Sequence, residues 1–111
     1  DVYDGEWNEQ KKHGKGIATS SDGNVYDGDW WHDVRHGRGV NTFASGVVYD
    51  GERVDEKMTE GMLKQHDGKS FDAVFTWDGM VGGEEVYIVR LTVDGVFHSE
   101  CHFRNGELLE R

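Results

Sequence analysis

Proline is missing from this 111-residue chain, and so is any long apolar run. Without proline, no residue in a strand forfeits its ladder hydrogen bond. No stretch approaches the roughly 20 apolar residues that cross a bilayer as a helix, and no signal-peptide core is visible, so neither is predicted. A single cysteine, Cys101, excludes an internal disulfide, and no Asn-x-Ser/Thr acceptor occurs. Both point to a reducing, cytoplasmic setting. Cations are also scarce, with 12 Lys and Arg against 22 Asp and Glu for a net charge of −10. Such a surface repels nucleic-acid phosphates and anionic headgroups. The one local gathering, Lys11, Lys12 and Lys15, falls short of the about 4 to 8 clustered cations of polybasic lipid recognition. Nucleic acid is therefore excluded as a partner, and direct membrane binding is not expected of this stretch.

What the chain has in quantity is glycine, 16 residues, placed periodically. Tyr3-Asp4-Gly5-Glu6-Trp7, then His13-Gly14-Lys15-Gly16 and Asp22-Gly23, returns as Tyr26-Asp27-Gly28-Asp29-Trp30, His36-Gly37-Arg38-Gly39 and Ser45-Gly46. A third copy opens at Tyr49-Asp50-Gly51-Glu52, with Arg53 in place of Trp and only Gly61 of the glycine pair. A fourth opens at Phe71-Asp72-Ala73-Val74-Phe75. A fixed period of this length marks a repeat array. The copies cover 1–23, 24–46 and 47–68, with 69–83 degenerate and 84–111 a further set of strands. The first residue falls inside a copy and no initiating Met is present, so the chain reads as an excised piece with more repeats before it.

The pattern Y-x-G-x-W, H-G-x-G, x-G resembles the MORN repeat (membrane occupation and recognition nexus), and the first two copies match every signature position. The resemblance implies an all-β, elongated single antiparallel sheet of repeated β-hairpins, closed by a C-terminal β-meander. It also implies a scaffolding role in cytoskeletal, ciliary or membrane-junction assemblies, and leaves open that the piece is an accessory domain of a larger enzyme.

The residues support that fold independently. Tyr, Gly and Trp at i, i+2 and i+4 share one face of a strand, because side chains alternate. The glycine between the rings leaves space for a ring to lie on backbone. Gly14/Gly16 and Gly37/Gly39 alternate in the same way and predict a second strand with a thin face. Asn8 to Lys12, Trp31 to Arg35, Ser21 to Asn24 and Ala44 to Gly46 read as hairpin turns in which Gly supplies positive φ. Tyr3, Tyr26, Tyr49 and Phe71 then form a ladder spaced by roughly 10 Å. No second sheet is evident to cover the ladder, so stability is expected to be a sum of nearest-neighbour terms. Beyond residue 84, Val86 to Val93 is β-branched and ends at Asp94-Gly95. The following strand places Phe97, Ser99, Cys101 and Phe103 on one face, and Asn105-Gly106 turns into a last strand. This meander is expected to protect one end of the array from edge pairing.

Chemistry at specific residues is weakly encoded. Leu63 to Ser70 looks like a phosphate loop but lacks its first glycine and a strand-to-helix setting. His13 and His36 would be roughly 10 Å apart, and His98 and His102 about 13 Å apart on one strand face, too far to share a metal. Cys101 faces away from both neighbouring histidines and has no activating partner, so it reads as a small half-buried side chain. Asp4, Asp27, Asp50 and Asp72 recur on the face away from the rings, and Asp22-x-Asn24 fits no calcium-loop spacing. No catalytic residue, metal or cofactor is assigned. The candidate binding residues are Tyr3, Trp7, Tyr26, Trp30, Trp31 and Tyr49, as aromatic anchors of a protein interface. The expected partner is a basic extended or helical protein segment, with self-association through the N-terminal strand edge as a second contact. Phosphoinositide binding is the competing reading.

Overall fold

A computed structural model describes residues 1–110, with Glu110 by its backbone alone; Arg111, the end of the expected 84–111 segment, lies outside the described residues. All regular structure is β. The strands are β1 (Val2–Asn8), β2 (Lys11–Thr19), β3 (Val25–Trp31), β4 (Val34–Thr42), β5 (Val48–Val54), β6 (Lys57–Lys64), β7 (Ser70–Val81), β8 (Glu84–Val93), β9 (Val96–Arg104) and β10 (Glu107–Glu110). They form one antiparallel sheet in sequence order, so each hairpin adds to the last and no connection crosses another.

The register explains the repeat. Gly5 faces Gly16, Gly16 faces Gly28, and the row continues through Gly39, Gly51 and Gly61 to Ala73. Along this line, across seven strands, the sheet has almost no side-chain thickness. The tyrosine of each copy folds onto it: a Cβ built at Gly39 would fall 2.5 Å from the Tyr26 hydroxyl oxygen. No ring can lie there unless the residue beneath is glycine.

The second glycine works differently. Gly14 and Gly37 have φ of +77° and +95° and sit in a bulge, where the register slips between Gly5 and Trp7 and again between Gly28 and Trp30. The expected thin alternation of Gly14/Gly16 is therefore corrected. The first glycine of the box sets a left-handed backbone; only the second lies under a ring. The acidic residue opposite caps the bulge, since Glu6 Oε1 accepts from the Lys15 N–H at 2.6 Å and Asp29 Oδ2 from the Arg38 N–H at 3.3 Å.

The turns within the first three hairpins contain no glycine, against expectation. Glu9-Gln10, His32-Asp33 and Asp55-Glu56 all take positive φ, from 48° to 77°. Two-residue turns of this hand match the twist of the strands they join. The second and third are held by the preceding hairpin: the Lys12 N–H donates to Asp33 Oδ1 at 2.7 Å, and the Arg35 N–H to Glu56 Oε1 at 2.5 Å.

The sheet does not stay flat. Strands β4 and β9, five places apart, would be separated by roughly 24 Å in a flat sheet. Yet Phe43, just after β4, meets Phe103 of β9 with ring centroids 5.3 Å apart. Ser45 Oγ donates to the Gly106 carbonyl at 2.7 Å, and Asn24 Nδ2 to Asn105 Oδ1 at 3.2 Å. The ringed face is thus concave, and the C-terminal strands curl over it. Phe43, Tyr49, Leu63, Phe75, Tyr87, Leu91 and Phe103 form one buried cluster. The expectation of an uncovered ladder with purely nearest-neighbour stability is corrected: the C-terminal strands cover its second half.

One register detail changes the reading of β9. The pairing slips between Leu91 and Thr92, opposite Ser99 and Phe97. Phe97 is consequently exposed and lies 4.4 Å from the Arg90 guanidinium instead of joining Cys101 and Phe103 in the core. His98 rests on Phe71 at 4.8 Å, whereas His102 meets Asp78 at 3.5 Å. The two histidines do not share a face. Leu63 to Ser70 runs from β6 through a turn into β7, with no helix following.

Candidate functional site

The concave face is covered at the C-terminal end and open at the N-terminal end. A groove of about 690 Å³ runs over the first two copies, with Tyr3, Trp7, Lys12, Tyr26 and Trp30 along its floor. Its construction follows from the repeat. Trp30 packs edge-on between Tyr3 and Tyr26, with centroids 5.3 Å from each, and its indole N–H donates to the Gly16 carbonyl at 3.1 Å. Each tyrosine hydroxyl donates to the carbonyl three residues on: Tyr3 to Glu6, Tyr26 to Asp29 and Tyr49 to Glu52, at 2.8, 2.9 and 2.6 Å. Burial raises the proton affinity of these hydroxyls, pushing Tyr49 up to about 12.

A bonding scheme repeated copy after copy identifies the unit as well as its letters do. The MORN repeat family model matches residues 3–25 and 26–48. Residues 3–48 are two MORN repeats. No curated protein matches the chain.

Within the sheet that holds these MORN repeats, the six candidate residues divide by accessibility. Tyr26, Trp30 and Tyr49 are packed into the floor, at 4%, 7% and 1% exposure. Trp7, the Trp30 equivalent of the first copy, is 58% exposed, because β1 is bonded on one side only and no ring covers the indole from beyond it. Tyr3 beside it is half-buried, with the two rings edge-to-face at 5.0 Å. Trp31 points to the other face, as its place next to Trp30 requires. It packs on His13 and His32 at 4.7 and 4.5 Å and lies over its own turn, yet stays 52% exposed. The structure thus brings Tyr3, Trp7, Tyr26 and Trp30 together, leaves Trp31 apart, and buries Tyr49 beneath Phe75.

The sequence reading missed a row of cations on this face. Lys12 and Arg35 hold equivalent places in successive copies. Lys12 Nζ sits 5.3 Å from the Tyr3 ring and 5.1 Å from Trp30, and the Arg35 guanidinium sits 5.8 Å from Tyr26. The third copy has Met58 at this place, paired with Arg53, and Lys57 one residue earlier lies over Trp77 at 4.5 Å instead. Positive charge over a ring face is attracted by its quadrupole. The signal was present as a basic residue at the same offset in the first two copies, but turn chemistry concealed it. Acids accompany the row, with Asp1, Asp22, Asp33 and Glu56 on the same groove. Burial alone would raise Glu56, but its hydrogen bonds to Arg35 hold it below the ordinary carboxylate value.

The histidines do not converge. His36 Nδ1 accepts from the Asp55 N–H at 3.2 Å, whereas His13 Nδ1 is buried without a partner. Among the described residues no three His, Cys, Asp or Glu side chains come together as a metal-ligand set. Cys101 is half-buried against the core, 3.8 Å from Ser99 Oγ.

Proposed function

We propose that this domain is a non-catalytic scaffolding module whose concave groove holds a segment of another protein, in a cytoplasmic assembly of cytoskeletal, ciliary or membrane-associated type. The observation that carries it is the open half of the groove: two accessible rings, Tyr3 and Trp7, continue a floor of packed rings and are bordered by carboxylates. Exposed aromatics beside a preformed concave surface are the usual anchors of protein interfaces. The acidic border and the charge of −10 favour a segment rich in Lys and Arg, extended or helical.

The test is to select binding peptides from a random display library and follow their kinetics at two salt concentrations. Basic sequences should emerge, with association rates that fall as salt rises. Co-sedimentation with vesicles containing phosphoinositides, in the absence of any basic-peptide selection, would replace this reading with a lipid one.

A second contact belongs to β1, whose outer edge carries unpaired backbone groups. Edges of this kind pair with other strands unless blocked. Dimers or larger species of the 111-residue chain are expected in light scattering at high concentration. A strict monomer would contradict edge pairing.

A further inference from the structure

Arg53 stands where the first two copies carry Trp7 and Trp30. It occupies the aromatic slot itself, 4% exposed, with its guanidinium 5.6 Å from the Tyr26 ring. Its Nη1 donates to the Glu56 carbonyl at 2.6 Å and its Nη2 donates to Asn41 Oδ1, while Nε has no acceptor. The carboxylates around it are engaged elsewhere: Glu56 with Arg35 at 3.1 Å, Glu84 with Arg104 at 2.8 Å and Glu85 with the Tyr87 hydroxyl at 2.5 Å. Glu85 and Glu56 lend it some attraction from a distance, but a buried cation with no carboxylate bonded to it is expensive. Burial, with Arg35 adding repulsion, pushes the guanidinium down to about 10. Folding alone does not call for it, since the sister copies fill the same slot with indole.

A hollow of about 230 Å³ opens beside this group, bounded by Arg35, Arg53, Asn24, Met58 and Tyr87. It is too small for a drug-sized ligand, which needs roughly 300 Å³ or more, and has room for one side chain. It shares Asn24, Arg35 and Phe43 with the main groove, so a segment lying in the groove passes its mouth.

We propose that this hollow is the anchor pocket of the groove and takes an aspartate or glutamate side chain of the bound protein segment, its carboxylate facing Arg53 and Arg35. The inference rests on the groove being the binding surface. The carboxylate supplies a counter-charge in direct contact, and a planar guanidinium suits a carboxylate best. Asp22 borders the pocket on one side, and Glu84 and Glu85 border it on another. Those acids call for basic residues on both flanks of the anchor, which places it inside the segment instead of at its C-terminus.

The experiment is a nuclear magnetic resonance titration of the 111-residue protein, observing the Arg53 Nε–H and the Trp7 and Trp30 indole N–H signals. The probes are a blocked Lys/Ser nonapeptide with central Glu, the same peptide with Gln, one whose sole carboxylate is its free C-terminus, and inositol hexakisphosphate. The Glu peptide should shift Arg53 and bind at least tenfold more tightly than the Gln peptide. Arg53→Trp, which installs the residue of the sister copies, should remove that preference while melting no lower than wild type; Arg53→Met serves if the ring does not fit. Equal binding of the Glu and Gln peptides, with the Trp7 and Trp30 signals shifted, overturns the anchor and leaves the groove standing. No shift at any of the three signals overturns both. Preference for the C-terminal carboxylate, or Arg53-dependent binding of the phosphate probe alone, overturns the assignment of the ligand.

Discussion

At Tyr26 a single side chain closes the hairpin in three ways: the ring covers Gly39, its edge meets Trp30, and its hydroxyl donates to the Asp29 carbonyl. The two glycines of the box beneath it therefore fail for different reasons when replaced. Gly39→Ala forces a methyl into the ring and should destabilise by about 1–3 kcal/mol. Gly37→Ala meets only the Asp29 side chain, with Oδ2 at 3.0 Å, but its φ of +95° disfavours a side chain and should cost on the order of 1–2 kcal/mol. Asn, which tolerates the left-handed region, should recover part of the loss at position 37 and none at position 39. Denaturant unfolding of the four variants checks this, and equal behaviour at both positions would dismiss the distinction. The ring-over-glycine contact was legible in the spacing of the first two copies. The sign of φ at Gly14 and Gly37 was not, because a bulge breaks the alternation from which faces are read.

Among the elements, the hairpin turns show the sequence and the backbone in conflict. Glu9 and Gln10 hold φ of 51° and 66°, where a side chain is strained. Gln10 makes no side-chain hydrogen bond that would hold it, whereas Asp33 and Glu56 at the equivalent place bind the preceding hairpin. Gln10→Gly should raise stability by roughly 0.5 kcal/mol, after allowing for the flexibility that glycine adds to the unfolded chain. A melting temperature that falls would show that the Gln10 side chain is held in place. Asp94-Gly95 and Asn105-Gly106 announced their turns, since Asn and Gly tolerate positive φ. The first three turns carry no such letters, and the second and third are fixed by the preceding hairpin. The bulge in β9 was also hidden: it turns Phe97 outward and His98 inward, and strict alternation predicts the reverse.

At the level of the whole molecule, repeats and meander are one body. Phe103 touches Phe43 and Phe75, from parts of the chain 60 and 28 residues away. Phe103→Ala should cost about 3–5 kcal/mol and lower a single transition reported by both tryptophan fluorescence, to which Trp7, Trp30 and Trp31 of the N-terminal copies contribute with Trp77 of β7, and circular dichroism. Two separated transitions would restore the nearest-neighbour picture. The curl was not legible because it depends on contacts between turns distant in sequence, such as Ser45 with Gly106, that no local pattern records. It also decides where the groove lies, by covering Tyr49 and leaving Tyr3 and Trp7 open. The most direct measurement is therefore the affinity of a library-selected basic peptide for Trp7→Ser and Trp31→Ser, each with its melting temperature. The groove account predicts at least tenfold weaker binding in Trp7→Ser at an unchanged melting temperature, and wild-type affinity in Trp31→Ser. Binding that survives Trp7→Ser and is lost in Trp31→Ser would place the interaction on the opposite face and contradict it.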